Sequence, residues 1–143
     1  MTIDLNKYKE FVAEVTSPPS NDLTTFMNRL DELDGNWDSE KQAHGPDVNI
    51  PLLITACLGL AAESGEFCEI PKKMLFQGKP LTEDNLFHMK RELGDIFFYW
   101  TNACRALNLD PSDVIQENIT KLSARYPNGF EVVRSEKREI GDI

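Results

Sequence analysis

The sequence predicts an all-α protein, a bundle of about five helices with a four-helix core. Three observations lead to this fold class. Apolar residues recur at three- and four-residue steps along most of the chain, which is the period of an amphipathic helix. Residues 52–62 are apolar on every side, as in a helix at the centre of a bundle. Proline, glycine, asparagine and aspartate gather between the periodic stretches, where helices end. A chain of 143 residues favours one domain over 1–143, with 130–143 as a tail.

Two helices are expected before residue 35. The first covers about 4–16, with Asp4 as its N-cap, and the run of serine and proline at 17–20 ends it. The second covers about 22–33, where apolar residues form a single stripe. Residues 35–49 show no period and contain two glycines and a proline, so we expect a loop there.

Trp37 stands inside this expected loop. A large aromatic side chain in a polar loop has two plausible uses. It fastens the loop to the hydrophobic core, or it offers a surface on which a nucleotide base can stack. The sequence leaves both interpretations open.

Three further helices complete the prediction. The central one begins near residues 49–51 and ends before the Gly78 turn, and the next covers about 83–107. The last runs over about 113–125 with Ser112 as its cap. Residues 131–143 show no clear period, so they are disordered, pack on a partner subunit, or close over a site.

Two pairs of carboxylates interrupt apolar stretches. LLITACLGLAAESGEFCE contains Glu63 and Glu66. RELGDIFFYW contains Glu92 and Asp95. Residues three apart lie roughly 60° apart around a helix, so each pair shares a face. Two such helices side by side would bring four carboxylates together. Unit charges 4 Å apart interact by about 4 kcal/mol at an effective dielectric of 20, so the cluster needs protons or cations.

A hard divalent cation is the natural partner of an all-carboxylate cluster. No histidine or cysteine joins the set, and His44 and His88 are isolated, so Mg²⁺ or Mn²⁺ suits it better than Zn²⁺. The alternative is an ordinary solvated helix face, on which the glutamates of this stretch have i, i+4 partners such as Lys72 or Lys73.

Composition limits the classes of partner. The net charge of −9 argues against nucleic acid and anionic membranes, which bind basic surfaces. We expect no apolar run long enough to span a bilayer, and an acidic, polar N-terminus is unlike a signal sequence, so a cytoplasmic location is expected. Cys57, Cys68 and Cys104 form no CxxC motif and are expected to be reduced core thiols.

The last predicted helix presents Asn118, Lys121 and Arg125 within roughly 60° of one another. Such a stripe suits a helix edge that directs positive charge at an anion. The plainer interpretation is a solvated edge with ion pairs to Glu117 or Asp113, each contributing about 0.3–0.5 kcal/mol.

Three segments together resemble the MazG-like family of all-α nucleoside triphosphate pyrophosphohydrolases, in its phage-type branch. They are GLAAESGEFCE, the later ELGD and the still later ENITKLSARYPNGF, and they span roughly residues 50–130. The family signature is a Glu-x-x-Glu pair on one helix and a Glu-x-x-Asp pair on the next. The matching residues are Glu63, Glu66, Glu92 and Asp95.

The resemblance implies an activity: Mg²⁺-dependent hydrolysis of a nucleoside or deoxynucleoside triphosphate to the monophosphate and pyrophosphate. The four signature carboxylates would hold the metal, and Glu66 or Glu69 would take a proton from water. The resemblance also favours Asn118 and Lys121, with Arg125, as phosphate and nucleotide ligands. Tyr99, one turn beyond Asp95, and Trp37 are candidates for contacts with the sugar and base.

Two other functions stay open at this level. The chain could be a helical module that binds a nucleotide or a protein without turnover. It could also be a related all-α pyrophosphohydrolase specialised for dUTP, dCTP or phosphoribosyl-ATP. The amount of apolar helix surface favours a homodimer or homotetramer, in line with the assemblies that related proteins form.

Overall fold

The structure is a computed structural model and describes residues 3–35, 37–38, 43–44 and 46–136. Those residues contain seven helices and two very short strands. The chain divides into two compact units, Met1–Ile50 and Pro51–Ile143. The predicted all-α class is confirmed, while the expected single domain stays a prediction.

The first unit contains three helices and a small hairpin. In α1 the carboxylate of Asp4 accepts hydrogen bonds from the backbone N–H groups of Asn6 (3.0 Å) and Lys7 (3.3 Å), which confirms Asp4 as the N-cap. The elements are α1 (Leu5–Val15), α2 (Pro18–Asn21), α3 (Leu23–Gly35), β1 (Trp37–Asp38) and β2 (Ala43–His44).

Two predictions for this unit need correction. The segment at 17–20 was expected only to end a helix, but Pro18–Asn21 forms the short helix α2, because proline fits the first helical positions, where no N–H partner is needed. The expected loop at 35–49 contains β1 and β2, which pair antiparallel with Trp37 opposite His44.

The second unit contains the longer helices. Its elements are α4 (Ile50–Gln77), α5 (Glu83–Ala106), α6 (Pro111–Arg125) and α7 (Val132–Glu136). Helix α4 continues through Pro71 and ends before Gly78, whose φ of 67° is available to glycine at little cost. The expected irregular tail from residue 131 contains α7.

Side-chain caps set where α5 and α6 begin. Thr82 caps α5, its hydroxyl accepting a hydrogen bond from the N–H of Asn85 at 3.2 Å. Asp110 caps α6, accepting from the N–H of Ser112 at 2.7 Å, with Pro111 in the first turn. Ser112 was expected to be this cap. The helix begins earlier, because Asp110 is the better acceptor and proline is favourable at the first helical position.

Helices α4 and α5 run antiparallel and meet where a glycine faces an aromatic ring. A Cβ atom at Gly59 would overlap the ring of Tyr99, whereas one at Gly65 would meet nothing within 4 Å. The absence of a side chain at Gly59 therefore makes room for Tyr99, and this contact sets α4 beside α5 one helical turn from Glu63 and Asp95.

Few side chains are buried within the described residues. The buried apolar ones are small: Ala56, Cys104 and Ala106. Cys57 and Cys68 are free but exposed, so they are not the core thiols that the sequence predicted. The apolar stripe of α5 predicts that Leu93 and Phe97 face inward, but both are more than half exposed, because the stripe extends beyond the contacts made within one chain.

Helix α4 meets the length and composition of a membrane-spanning helix. The expectation that no stretch reaches this length is therefore wrong for α4. The core helix of a bundle passes the same test, so length and composition alone do not place α4 in a membrane.

Substituting two glycines of α4 will separate packing from helix propensity. Alanine is favoured over glycine in a helix interior by about 1 kcal/mol, so Gly65→Ala will raise the free energy of unfolding. Gly59→Ala will lower it, because overlap with Tyr99 costs about 1–3 kcal/mol. Urea unfolding followed by circular dichroism measures both, and equal stabilisation by the two substitutions would contradict the packing of Tyr99 on Gly59.

Candidate metal centre

Three carboxylates from two helices converge beside the Gly59–Tyr99 contact. Glu63 of α4 and Glu92 and Asp95 of α5 each offer an oxygen atom, and these atoms all lie within 4.8 Å of one another. Glu63 and Glu92 are half-buried, and Asp95 is exposed. The three-residue spacing puts Glu92 and Asp95 on one face of α5, and the antiparallel packing sets that face against Glu63.

The electrostatics of this group are unfavourable without a cation. The pKa of Glu63 is raised above its ordinary value, first by partial burial and then by repulsion from Glu66, Asp95 and Glu92. A side-chain hydrogen bond between Glu63 and Glu92 acts in the same direction, because it needs a proton between two carboxyl groups. The folded chain therefore holds a proton on Glu63 more tightly than an isolated glutamate does.

The donor set fits Mg²⁺. Its oxygen ligands lie at about 2.0–2.1 Å, so neighbouring oxygens around the ion are about 2.9 Å apart and opposite ones about 4.2 Å apart. The separations within the cluster are at most 4.8 Å, and rotation of the side chains would close the remaining distance. Three carboxylate ligands would leave further positions of a six-coordinate ion for water and for phosphate oxygens.

Glu66 and Glu69 occupy a different environment. Glu66 is close enough to raise the pKa of Glu63, but it is not part of the group within 4.8 Å. It lies with Glu69 along an open groove of about 550 Å³ on α4, together with Ala62, Gly65, Cys68 and Lys72. The predicted four-carboxylate set is thus three converging carboxylates with Glu66 beside them.

Glu69 is neutralised by its own helix. Its carboxylate forms ion pairs with Lys73 at 3.1 Å and Lys72 at 3.6 Å. The hydrogen bond and charge of Lys73, followed by the charge of Lys72, lower the pKa of Glu69. The ordinary solvated-face interpretation of the sequence therefore applies to Glu69.

Tyr99 and Trp37 were predicted to contact the sugar and base, and the structure describes the side chain of Tyr99 but not that of Trp37. Tyr99 lies against Gly59, next to the carboxylates, and is half-buried. Trp37 belongs to the first unit, and its side chain lies outside the described residues. The structure therefore gives Tyr99 a packing role beside the carboxylate cluster.

The stripe on α6 faces another side of α5. Asn118 and Lys121 line a groove of about 520 Å³ with Trp100, Val114, Ile115 and Glu117. Trp100 is five residues beyond Asp95, which turns it about 140° around the helix. Arg125 is half-buried at the end of α6, with its guanidinium carbon 5.9 Å from the centroid of the Tyr126 ring. Asn118 and Lys121 therefore share a groove, but within one chain that groove is not the one holding the carboxylates.

Two contributors were not foreseen as parts of the site. Gly59 has no side chain that could signal a role, and the ring of Tyr99 that lies on it reveals one. The apolar stripe of α5 predicts Trp100 in the core, but this residue lines the Asn118 groove. Its sequence signal was weak, because an aromatic residue on an apolar stripe is ordinary core composition.

Residues 53–130 match the model of a known family, described as the MazG nucleotide pyrophosphohydrolase domain. The chain belongs to the MazG family. The matched segment contains all four signature carboxylates and the Asn118 stripe, so the resemblance predicted from the sequence is confirmed. By this membership the domain is that of a hydrolase acting on pyrophosphate bonds of nucleotides.

One curated relative of this MazG protein comes from a phage. Gene 37 protein of Mycobacterium phage L5 is 33% identical over 73 residues, which are 50% of this chain and 64% of that protein. The chain thus spans less than two thirds of that relative. The match agrees with the phage-type branch predicted from the sequence. No solved structure matches the chain.

The raised pKa of Glu63 predicts a pH dependence of stability in metal-free protein. Between the ordinary value near 4.5 and the higher folded value, the folded state binds more protons than the unfolded state, so the free energy of unfolding falls as pH rises. Glu63→Gln removes this contribution. The metal-free variant will therefore gain stability over the wild type as pH rises through this window.

Urea unfolding in EDTA, at pH values well below and well above 4.5, measures this difference. Glu10→Gln, which changes an exposed carboxylate of α1, is the matched control and will show no such gain. A Glu63→Gln variant whose stability relative to wild type does not change with pH would contradict the electrostatics of the cluster.

Proposed function

We propose that the protein hydrolyses nucleoside or deoxynucleoside triphosphates between the α and β phosphates, releasing the monophosphate and pyrophosphate. The convergence of Glu63, Glu92 and Asp95, within a segment that matches a nucleotide pyrophosphohydrolase domain, carries this proposal. Phosphoryl transfer needs positioning and neutralisation of charge more than a protein nucleophile. Two neighbouring helices that present carboxylates to a divalent cation would supply both.

In this proposal Glu63, Glu92 and Asp95 hold Mg²⁺, with Mn²⁺ as an acceptable substitute. When bound, the ion neutralises phosphate oxygens and makes a water more acidic. The carboxylates keep fixed positions because their helices pack through Gly59 and Tyr99. Since partial burial already disfavours the charge on Glu63, a cation will displace its proton and lower the free energy of the folded state.

Glu66 is the better of the two candidate proton acceptors. It lies close to Glu63 and forms no ion pair with any described residue. Glu69 was the other candidate, but Lys72 and Lys73 stabilise its charged form and make it a weaker base. We therefore assign Glu66 to accept the proton of the attacking water and leave Glu69 a supporting role.

Asn118 and Lys121 are proposed to bind the nucleotide, with Arg125 one turn further on. Lys121 has no carboxylate within ion-pair distance among the residues that the structure describes, so its charge is available to a phosphate. Trp100, in the same groove, offers an aromatic face to a base. Trp37 and Tyr99 keep their proposed contacts with the sugar and base.

We propose that the protein works as a homodimer or homotetramer. Many large apolar side chains of the second unit are exposed, among them Leu58, Leu93 and Phe97. Burying one such side chain contributes about 1.5–3 kcal/mol, so pairing these faces stabilises an assembly. A second copy is the partner proposed for these helices.

A cytoplasmic location, with neither nucleic acid nor membrane as partner, completes the proposal. The net charge of −9 repels polyanions and acidic lipid surfaces. In this proposal a nucleotide, which is also an anion, binds because a divalent cation bridges its phosphates and the carboxylates of the protein.

Replacing a proposed metal ligand will abolish most of the activity. Asp95→Asn or Glu92→Gln will lower the rate of pyrophosphate release from a triphosphate with Mg²⁺ by about a hundredfold or more, since metal activation supplies several kcal/mol at about 1.36 kcal/mol per tenfold. Asp113→Asn, an exposed position on α6, is the control and will keep the wild-type rate.

The same assay, run across ribo and deoxy triphosphates with and without chelator, defines the substrate. Glu66→Gln will lower turnover far more than Glu69→Gln. Near wild-type turnover of a correctly folded Asp95→Asn protein would show that the metal centre is assigned wrongly.

Light scattering on the purified chain will give a mass that is a multiple of 16.3 kDa. Phe97→Glu, which places a charge on an exposed apolar face of α5, will shift this mass downward. A monomer at assay concentrations would refute the proposed assembly without touching the metal centre.

A further inference from the structure

A small cavity lies where α4 turns into α5. Its volume is about 290 Å³, the space of about ten water molecules at about 30 Å³ each, which is ample for a phosphate or pyrophosphate group. Its basic side chains come from both helices and from the turn between them. It is lined by Ile70, Lys73, Lys79, Asp84, Asn85 and His88.

Hydrogen bonds hold the walls of this cavity in place. The backbone N–H of Lys79 donates to the carbonyl oxygen of Lys73 at 3.3 Å, which folds the chain back after Gly78 and brings the two lysines together. The side-chain amide of Asn85 donates to the carbonyl oxygen of Pro80 at 2.9 Å. The turn is thereby tied to both helices, and the positions of its basic groups follow from the fold.

One lysine of the cavity forms no ion pair among the described residues. Lys73 pairs with Glu69 at 3.1 Å, and the imidazole of His88 lies 3.6 Å from the carboxylate of Asp84, a contact that is an ion pair only when His88 is protonated. Lys79 has no carboxylate within ion-pair distance among the described residues. The two contacts that do form are at least partly exposed, and such contacts are weak enough to rearrange around a multiply charged anion.

The cavity follows the same side of α5 as the metal centre. His88 precedes Glu92 by four residues, so it lies on the same face about 6 Å along the axis. Lys73 follows Glu66 by seven residues, two turns along one face of α4. Basic groups therefore continue the line of carboxylates towards the turn. Trp100, in the groove of Asn118 and Lys121, lies about 120° from His88 around α5.

We propose that this cavity binds the terminal phosphates of the nucleotide, and hence the pyrophosphate that leaves, through Lys79, Lys73 and His88. This inference rests on the proposed function. A polyphosphate held at the carboxylates by its cation can extend one helical turn into the cavity, where its remaining negative charge meets the unpaired cation of Lys79. The basic groups there are positioning residues, since they lie beyond the bond that breaks.

Inorganic pyrophosphate is the probe for this site. It is titrated by calorimetry into the full chain in EDTA, so that no metal ion contributes to binding at the carboxylates. Wild type will bind it saturably, and Lys79→Gln will weaken the affinity by about tenfold, the effect of one lost charge-assisted contact. Lys90→Gln is the matched control: it removes one exposed lysine of α5, two residues and about 160° from His88, and will bind as wild type does.

Activity measurements separate this inference from the proposed function. Lys79→Gln will raise KM for the triphosphate and leave the fold, followed by circular dichroism, unchanged. Unaltered pyrophosphate affinity and KM in an active Lys79→Gln protein would overturn the inference while the hydrolase stands. The inference is equally overturned if Lys121→Gln, and not Lys79→Gln, loses pyrophosphate. If wild type binds pyrophosphate through Lys79 but hydrolyses no triphosphate, the anion site stands and the proposed function falls.

Discussion

Repulsion among carboxylates held between α4 and α5 is the constraint on which this molecule depends. Oxygen atoms of Glu63, Glu92 and Asp95 lie within 4.8 Å of one another, where negative charges repel. Partial burial and this repulsion raise the pKa of Glu63. Helix packing through Gly59 and Tyr99 keeps the two helices together despite this cost. A fold that keeps unfavourable charges in place is poised to gain from a cation, because binding removes both the repulsion and the need for a proton.

The acidic residues of α4 divide into two kinds although they follow one another at three-residue steps. Glu63 faces other carboxylates, whereas Glu69 faces Lys72 and Lys73 from the next turn of its own helix. The first arrangement favours a protonated or metal-bound group, and the second favours a permanently charged one. Glu66 lies between them, near the cluster but outside its ligand spacing. One helix thus carries a carboxylate that faces other carboxylates, one beside the cluster and one paired with lysines, in sequence order.

The described residues bury little apolar surface within one chain. Only small side chains such as Ala56 and Ala106 are fully enclosed, while Leu93 and Phe97 remain open to solvent. Apolar helix faces of this extent are favourable only when covered, and this is the physical basis of the proposed self-association. Covering the exposed apolar faces would stabilise the protein further, because it would remove their side chains from water.

Local chemistry determined which segments become helices and which residues share a face. The Asp4 cap and the pairing of Glu92 with Asp95 follow from the sequence, because capping depends on one side chain and faces depend on a period of 3.6 residues. Where two neighbouring residues could each cap a helix, the sequence did not decide between them: Ser112 was expected to cap α6, but Asp110 does.

Only the tertiary structure decided how those faces are turned towards one another. Rotation about a helix axis is set by packing, and the contact of Gly59 with Tyr99 is a property of two helices that neither reveals alone. This rotation brings Glu63 to the α5 carboxylates. The packing of α6 on α5 likewise places Asn118 in one groove with Trp100. Residue types and spacing therefore predicted an acidic cluster on two helices. Which carboxylates converge depends on distances between the helices, and the period of a helix does not encode those distances.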